Sequence, residues 1–131
     1  MKHLLGRLLG SGAALGARGE RLAARWLRRR GYRIVQRNLR VGRDEADLVA
    51  IDPDGVTVVI VEVKTRAADA PAPEESLDEK KRFRLARLAA RLQQTPGYAD
   101  RPVRLDAIAI VWPSSGEPEV RHYVAAFESP F

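Results

Sequence analysis

Residues 44–66 read DEADLVAIDPDGVTVVIVEVKTR. Two strand-like runs flank Asp52-Pro53-Asp54-Gly55, a turn signature, so the stretch predicts a hairpin. The first run is Glu45 to Ile51 and the second Val56 to Lys64. Val58 to Val61 are apolar at every position, as in a strand covered on both faces, which makes the second run central. Glu62 and Lys64 break that pattern at its end. They stand two apart and so share one face. Glu45, Asp47, Val49 and Ile51 share one face of the first run, and Asp47 lies about as far from the turn as Glu62. Charges at the end of a covered strand are costly unless paired or bound to a metal.

Upstream, Ala13 to Arg30 reads as a helix stopped by Gly31. Glu20, Ala23, Ala24 and Leu27 recur on one side of it, so its only carboxylate falls on or beside the buried face. Tyr32 to Leu39 reads as a first strand. Downstream, Ala67 to Glu75 reads as a loop, and Ser76 with Glu79 forms a capping box for a helix from Leu77 to about Gln94. Thr95-Pro96-Gly97 ends that helix. Val103 to Trp112 reads as another internal strand, and Glu119 to Phe127 as a last edge strand after a turn. The order α-β-β-β-α-β-β predicts an α/β fold, one sheet with helices on its faces. Residues 1–15 read as a flexible tail and 16–131 as a single domain.

The chain has 131 residues with 23 Lys or Arg against 17 Asp or Glu, a net charge of +6. Twelve of the basic residues lie in residues 1–43 with one acid, Glu20. Such a basic half suits a polyanion, either a phosphate backbone or an acidic membrane surface. With no cysteine, disulfides, thiolate catalysis and Cys-ligated zinc are excluded, and a reducing cytoplasm is the expected location. No apolar run reaches the length of a membrane span. Met1 to Gly16, with a basic residue and some leucines, is like a weak secretion signal, but Arg7 interrupts its apolar part and Arg18 and Glu20 follow closely, so a frayed tail is the preferred reading.

The chemistry of hard cations gives the charged cluster a use. Two carboxylates, a main-chain carbonyl and waters hold Mg²⁺ or Mn²⁺. Asp47 and Glu62 are the candidate metal ligands, with the Val63 carbonyl between Glu62 and Lys64. Lys64 is placed to orient or deprotonate a water, or to offset charge growing on a phosphate. Glu20 is a fourth ligand or a ligand to a second metal. The competing reading is a salt bridge of Lys64 with Asp47 or Glu62 at a strand end.

Several short motifs recur in one order along the chain: Gly19-Glu20; Leu27 with Gly31-Tyr32; Asn38-Leu39-Arg40; Glu45-Ala46-Asp47-Leu48; Val61 to Arg66; Asp78 to Lys81; and Leu105-Asp106-Ala107. Through them the chain resembles the YraN-like family of the restriction-endonuclease-like superfamily of PD-(D/E)XK nucleases, over about residues 16–111. The resemblance implies an α-β-β-β-α-β core with a central mixed sheet. It also implies that Asp47, Glu62 and Lys64 are the metal and catalytic positions, with Glu20 as the helix-borne acid. Related Holliday-junction resolvases are dimers, so the analogy implies branched or repair-intermediate DNA as substrate and a homodimer as assembly. Asp44 stands where the family usually has Gly, which adds negative charge near the site. Ala46 stands where it usually has Ile or Leu.

Asn38 and Arg40 precede the Asp47 strand and are candidate nucleic-acid contacts, as are Thr65 and Arg66 after the catalytic strand and Lys81 and Arg82 at the start of the second helix. The arginines at 28–30, 33, 37 and 43 either track a phosphate backbone or form a solvated face. Trp26 and Trp112 read as packing residues. His3 and His122 have no partner His at metal spacing and are assigned no chemistry. The expected function is a Mg²⁺- or Mn²⁺-dependent endonuclease or DNA-processing factor. The alternatives are a nucleic-acid-binding module with the same fold but no turnover, and an interaction protein whose basic face meets an acidic partner.

Overall fold

A computed structural model describes residues 2–72 and 79–127, with side chains from residue 15 onward. The elements follow the expected order: α1 (Lys2–Arg29), β1 (Arg33–Val41), β2 (Asp44–Ile51), β3 (Val58–Ala67), α2 (Glu79–Leu92), β4 (Val103–Trp112) and β5 (Glu119–Tyr123). The strands form one mixed sheet in the order β1-β2-β3-β4-β5. β2 and β3 are the antiparallel hairpin, β3 and β4 run parallel on either side of α2, and β5 is an edge strand. This is the architecture of a restriction-endonuclease-like core.

Strand parity builds the two layers. Val58 and Ile60 of β3 pack with Val49 and Ile51 of β2 and with Leu85, Ala86 and Leu88 of α2. Val59, Val61 and Val63 pack on the other side with Leu48, Ile108 and Ile110 and with Ala23, Ala24 and Leu27 of α1. The central strand is thus covered on both faces, as its unbroken apolar run requires. Fully burying one such side chain contributes about 1.5–3 kcal/mol. Trp26 and Trp112 are packed against the α1 layer.

Several boundaries differ from the sequence reading. α1 starts at Lys2 rather than Ala13. Gly6, Gly10 and Gly12 read as breakers, but a helical glycine costs only about 1 kcal/mol relative to Ala. β3 does not stop at Lys64: it continues to Ala67, paired with β4 as far as Trp112. The charged pair therefore lies within the sheet rather than at its end. β5 is shorter than expected and stops at Tyr123. The Ser76 cap, Leu77, Asp78 and the end of the expected loop, residues 73–78, lie outside the described residues.

The left-handed Gly31 (φ 89) ends α1 and lets the Tyr32 amide donate to the Leu27 carbonyl at 3.1 Å, the usual glycine helix stop. Gly19 is the close contact between α1 and the sheet: a Cβ there would meet Thr65 of β3 at 3.0 Å. A bare backbone at that point lets α1 lie low over β3 and sets the height of the next residue, Glu20.

Within the α1 layer, Asp106 of β4 is fully buried. The Arg104 guanidinium donates to both its oxygens, at 2.8 and 2.9 Å. His122 lies 2.8 Å from Oδ2, and the Ala125 amide donates to Oδ1 at 2.9 Å. Arg104 also donates to Asp52 in the hairpin turn and to the Tyr32 hydroxyl. One carboxylate thus ties β4, β5, the hairpin and the α1–β1 junction together. Burial alone would raise the Asp106 carboxyl, but the bonds from His122, Arg104 and the Ala125 amide hold it below the usual range.

Removing that carboxylate leaves Arg104 in the core region without its main partner. Asp106→Ala is expected to cost about 3–5 kcal/mol, read as a lower urea midpoint at pH 7. A loss under 1 kcal/mol would show that the network is not holding these elements.

Candidate metal centre

Asp47 marks the point where the regular sheet opens. The β2–β3 ladder runs through Leu48 opposite Val61 and ends there. In place of a main-chain partner, the Val63 amide donates to Asp47 Oδ2 at 2.7 Å. On the other side of β2, Arg37 pairs with Leu48 and Leu39 with Ala46, skipping Asn38 opposite Asp47. Asn38 is left-handed there (φ 50), a conformation Asn tolerates better than most residues.

This irregularity corrects the expected facing of Asp47. Ala46 and Val49 both point into the α2 layer while Leu48 points into the α1 layer. Simple alternation from Val49 and Ile51 therefore fails at Asp47. Its carboxyl reaches a cavity of about 300 Å³ bordered also by Glu62, Val63, Lys64, Lys81 and Arg84. It also borders a smaller one, about 180 Å³, beside Glu20, Arg37 and Asn38.

The expected pair on β3 does share a face. Lys64 Nζ lies 3.3 Å from Glu62 Oε1. Lys81 at the start of α2 lies closer still, 2.8 Å from the same oxygen. Lys81, expected as a separate phosphate contact, is therefore part of the charged cluster itself. Neither strand period nor spacing within α2 could show this, because it depends on how α2 crosses β3.

The electrostatics of the cluster are those of an acidic centre held out of water. Burial, and then the nearby Glu62 carboxylate, push the Asp47 carboxyl up to about 8, against the lowering effect of the Val63 amide. Glu20 is raised as well, chiefly by burial, although its hydrogen bond to Asp47 acts the other way. A hydrogen bond between two carboxyls needs a proton on one of them. Burial and then the neighbouring Lys81 push Lys64 down. Burial acts to lower Lys81 too, but its bonds to Glu62 and Lys64 leave it raised.

The donor set suits a hard divalent cation. Asp47, Glu62 and the Val63 carbonyl are oxygen donors. Burial, and then the repulsion from Glu62, raise the Asp47 carboxyl, and a nearby divalent charge would oppose both. Among the described residues, no three acidic or imidazole side chains form a ready-made metal cage. Mg²⁺ is usually held by only one or two carboxylates with several waters. Glu20 approaches Asp47 from the α1 side, which separates it from the two lysines.

The other expected contacts are placed more diversely. Arg40 is exposed and 3.8 Å from Glu45, and Asn38 lies beside Asp47. The Thr65 hydroxyl accepts a 2.7 Å hydrogen bond from the Trp112 indole, and Arg66 donates back to the Thr65 carbonyl. Arg82 is 4.0 Å from Glu79. Asp44 does not add free negative charge to the site. It is buried, and Arg87 of α2 grips both its oxygens at 2.6 and 2.7 Å. Its charge is spent on fastening β2 to α2, and Arg43 and Arg84 at the cavity rim are basic. Among the described residues, no helix is long and apolar enough to cross a membrane.

Residues 19–110 match the uncharacterised protein family UPF0102. A UPF0102 protein of Anaeromyxobacter dehalogenans is 41% identical over 116 residues, spanning 88% of this chain and 84% of that protein. One from Beutenbergia cavernae is 44% identical over 110 residues, 83% of this chain and 92% of its own. One from Geobacter sulfurreducens is 41% identical over 115 residues, 87% and 88% respectively. The matched span contains Glu20, Asp47, Glu62, Lys64 and Lys81.

A carboxyl raised on folding binds its proton more tightly in the folded state, so its contribution to stability is present at low pH and lost as pH rises toward the folded value. Metal-free protein should therefore lose stability between about pH 4 and 8 on account of Asp47. Asp47→Asn should flatten that slope and raise the melting temperature at pH 8, measured by thermal melts in EDTA. Parallel pH profiles for the two proteins would contradict the assignment.

Proposed function

The chain belongs to the uncharacterised protein family UPF0102, and on that footing we propose that it is a Mg²⁺- or Mn²⁺-dependent endonuclease acting on DNA. The observation that carries the reading is the convergence of Asp47, Glu62, Val63 and Lys64 on one cavity at the point where β2 and β3 part. A basic surface supports the choice of a phosphate polymer as substrate: twelve Lys or Arg against one acid in residues 1–43.

In this reading Asp47, Glu62 and the Val63 carbonyl hold the cation. Once bound, it would polarise the scissile phosphate and acidify a water. Lys64 lies beside Glu62, and burial and the neighbouring Lys81 lower its proton affinity. That suits it to take a proton from the attacking water. The water oxygen bonds to phosphorus, the bond from phosphorus to the leaving oxygen breaks, and solvent returns a proton to that oxygen. Lys81 remains cationic and stands where it can face the phosphate oxygens as charge builds on them. Glu20 borders the smaller cavity beside Asp47 and supports it from the α1 side. Both lysines meet Glu62 at Oε1, so the cation would take Oε2.

Purified protein with Mn²⁺ should nick or cut linear, single-stranded or four-way-junction DNA. Lys64→Ala should lose about 10²–10⁴-fold in rate, and Asp47→Ala should be inactive at every Mn²⁺ concentration. Cleavage that persists unchanged in Lys64→Ala overturns the mechanism. Salt-dependent binding without cleavage in any divalent metal would instead identify a nucleic-acid-binding module on the same fold.

A further inference from the structure

The outer side of α1 carries a feature the cleavage site does not use. Arg18, Arg21, Arg25 and Arg29 recur at three- and four-residue intervals, which places them in one stripe along the helix. All four are exposed. They border a cavity of about 430 Å³ closed on its far side by Trp112 and by Glu117 of the turn before β5. Like charges at this spacing repel and cost helix stability. Among the described residues, no ion pair to a carboxylate offsets that cost for these four. Glu117 is the one acid bordering the cavity.

We propose that this stripe is a second seat for nucleic-acid backbone, outside the cleavage cavity, and that it binds without taking part in the chemistry; the proposal rests on the nuclease reading above. The length fits. From Arg18 to Arg29 the helix rises about 16 Å at 1.5 Å per residue, the span of about five phosphates of one strand at 3.4 Å each along a duplex. The floor is firm. The Arg18 guanidinium stacks over the Trp112 ring, 4.4 Å from its centroid, and the Trp112 indole donates to Thr65 of the catalytic strand.

The stripe is also continuous with the candidate centre. Arg21 borders both this cavity and the smaller one that contains Glu20 and Asp47. A phosphate chain leaving the centre on the α1 side therefore meets Arg21 first. The chemistry disfavours a membrane as occupant. The exposed large apolar side chains among the described residues are Val56, Phe83, Tyr123 and Val124, and between Arg18 and Arg29 the apolar Leu22 and Trp26 are half-buried, so the stripe offers little to insert between lipids.

The test compares full-length wild type with the Arg25→Ala/Arg29→Ala double variant. Both positions are exposed and Ala favours helix, with equal folding to be checked by circular dichroism. Binding of labelled DNA is followed by fluorescence anisotropy in Ca²⁺ across a salt series. One probe is a long forked duplex. The other is a single-stranded trinucleotide, about 7 Å between its end phosphates at 3.4 Å each, too short to occupy the centre and run along the stripe together. Each phosphate contact contributes ~0.9 to the slope of log K against log salt. The variant should lose about 2 from that slope on the forked duplex, with little change on the trinucleotide, and should keep its cleavage rate at saturating DNA. An unchanged slope on the forked duplex overturns the proposal. So does a variant that binds DNA as the wild type does but loses binding to phosphatidylglycerol vesicles. Wild type that binds forked DNA through these arginines but never cleaves it leaves the stripe standing and removes the nuclease reading. Wild type that binds no DNA removes both.

Discussion

The hydrogen bond from the Val63 amide to the Asp47 carboxyl is the constraint from which the candidate centre follows. A buried main-chain amide must find an acceptor, and at this point β2 no longer offers its own carbonyl. A side-chain oxygen takes over at 2.7 Å. That substitution lets the two strands separate without leaving an amide unpaired. It also holds one acid against the main chain beside Glu62, so that the Val63 carbonyl and two carboxylates lie together at the opening of the sheet.

Everything around this opening balances the charge so concentrated. On the α2 side, Lys81 and Lys64 both meet one oxygen of Glu62. On the α1 side, Glu20 adds a third acid, and burial raises both it and Asp47 above the usual carboxylate range. The helices reach these positions by unlike means. α1 is seated close by the bare backbone of Gly19 against Thr65. α2 is pinned by the bidentate Arg87–Asp44 pair, with Arg91 donating to the Val41 carbonyl at 3.1 Å. The aspartate that departs from the family pattern is thus part of the frame.

Much of this was legible in the sequence, and the failures have identifiable causes. The apolar run of β3, the turn at Asp52-Pro53-Asp54-Gly55 and the helical period of α1 were enough for the element order and for the shared face of Glu62 and Lys64. Parity failed at Asp47 because Asn38 opposite it is left-handed, and period-two counting assumes a regular strand on both sides. Lys81 reads as a phosphate contact near the site, and its ion pair with Glu62 is not legible because its reach depends on how α2 crosses the sheet. His122, which had no histidine partner in sequence, instead meets Asp106 across the β4–β5 pairing, between the edges of Trp26 and Tyr32. Such a contact exists only once the strands are in register.

The central claim is that Asp47 and Glu62 hold a divalent cation. The most direct measurement is an anomalous-difference map from crystals of the protein soaked in Mn²⁺. The account predicts one strong peak within about 2.3 Å of an Asp47 oxygen, a Glu62 oxygen and the Val63 carbonyl. A map with no peak there at saturating Mn²⁺ would contradict it.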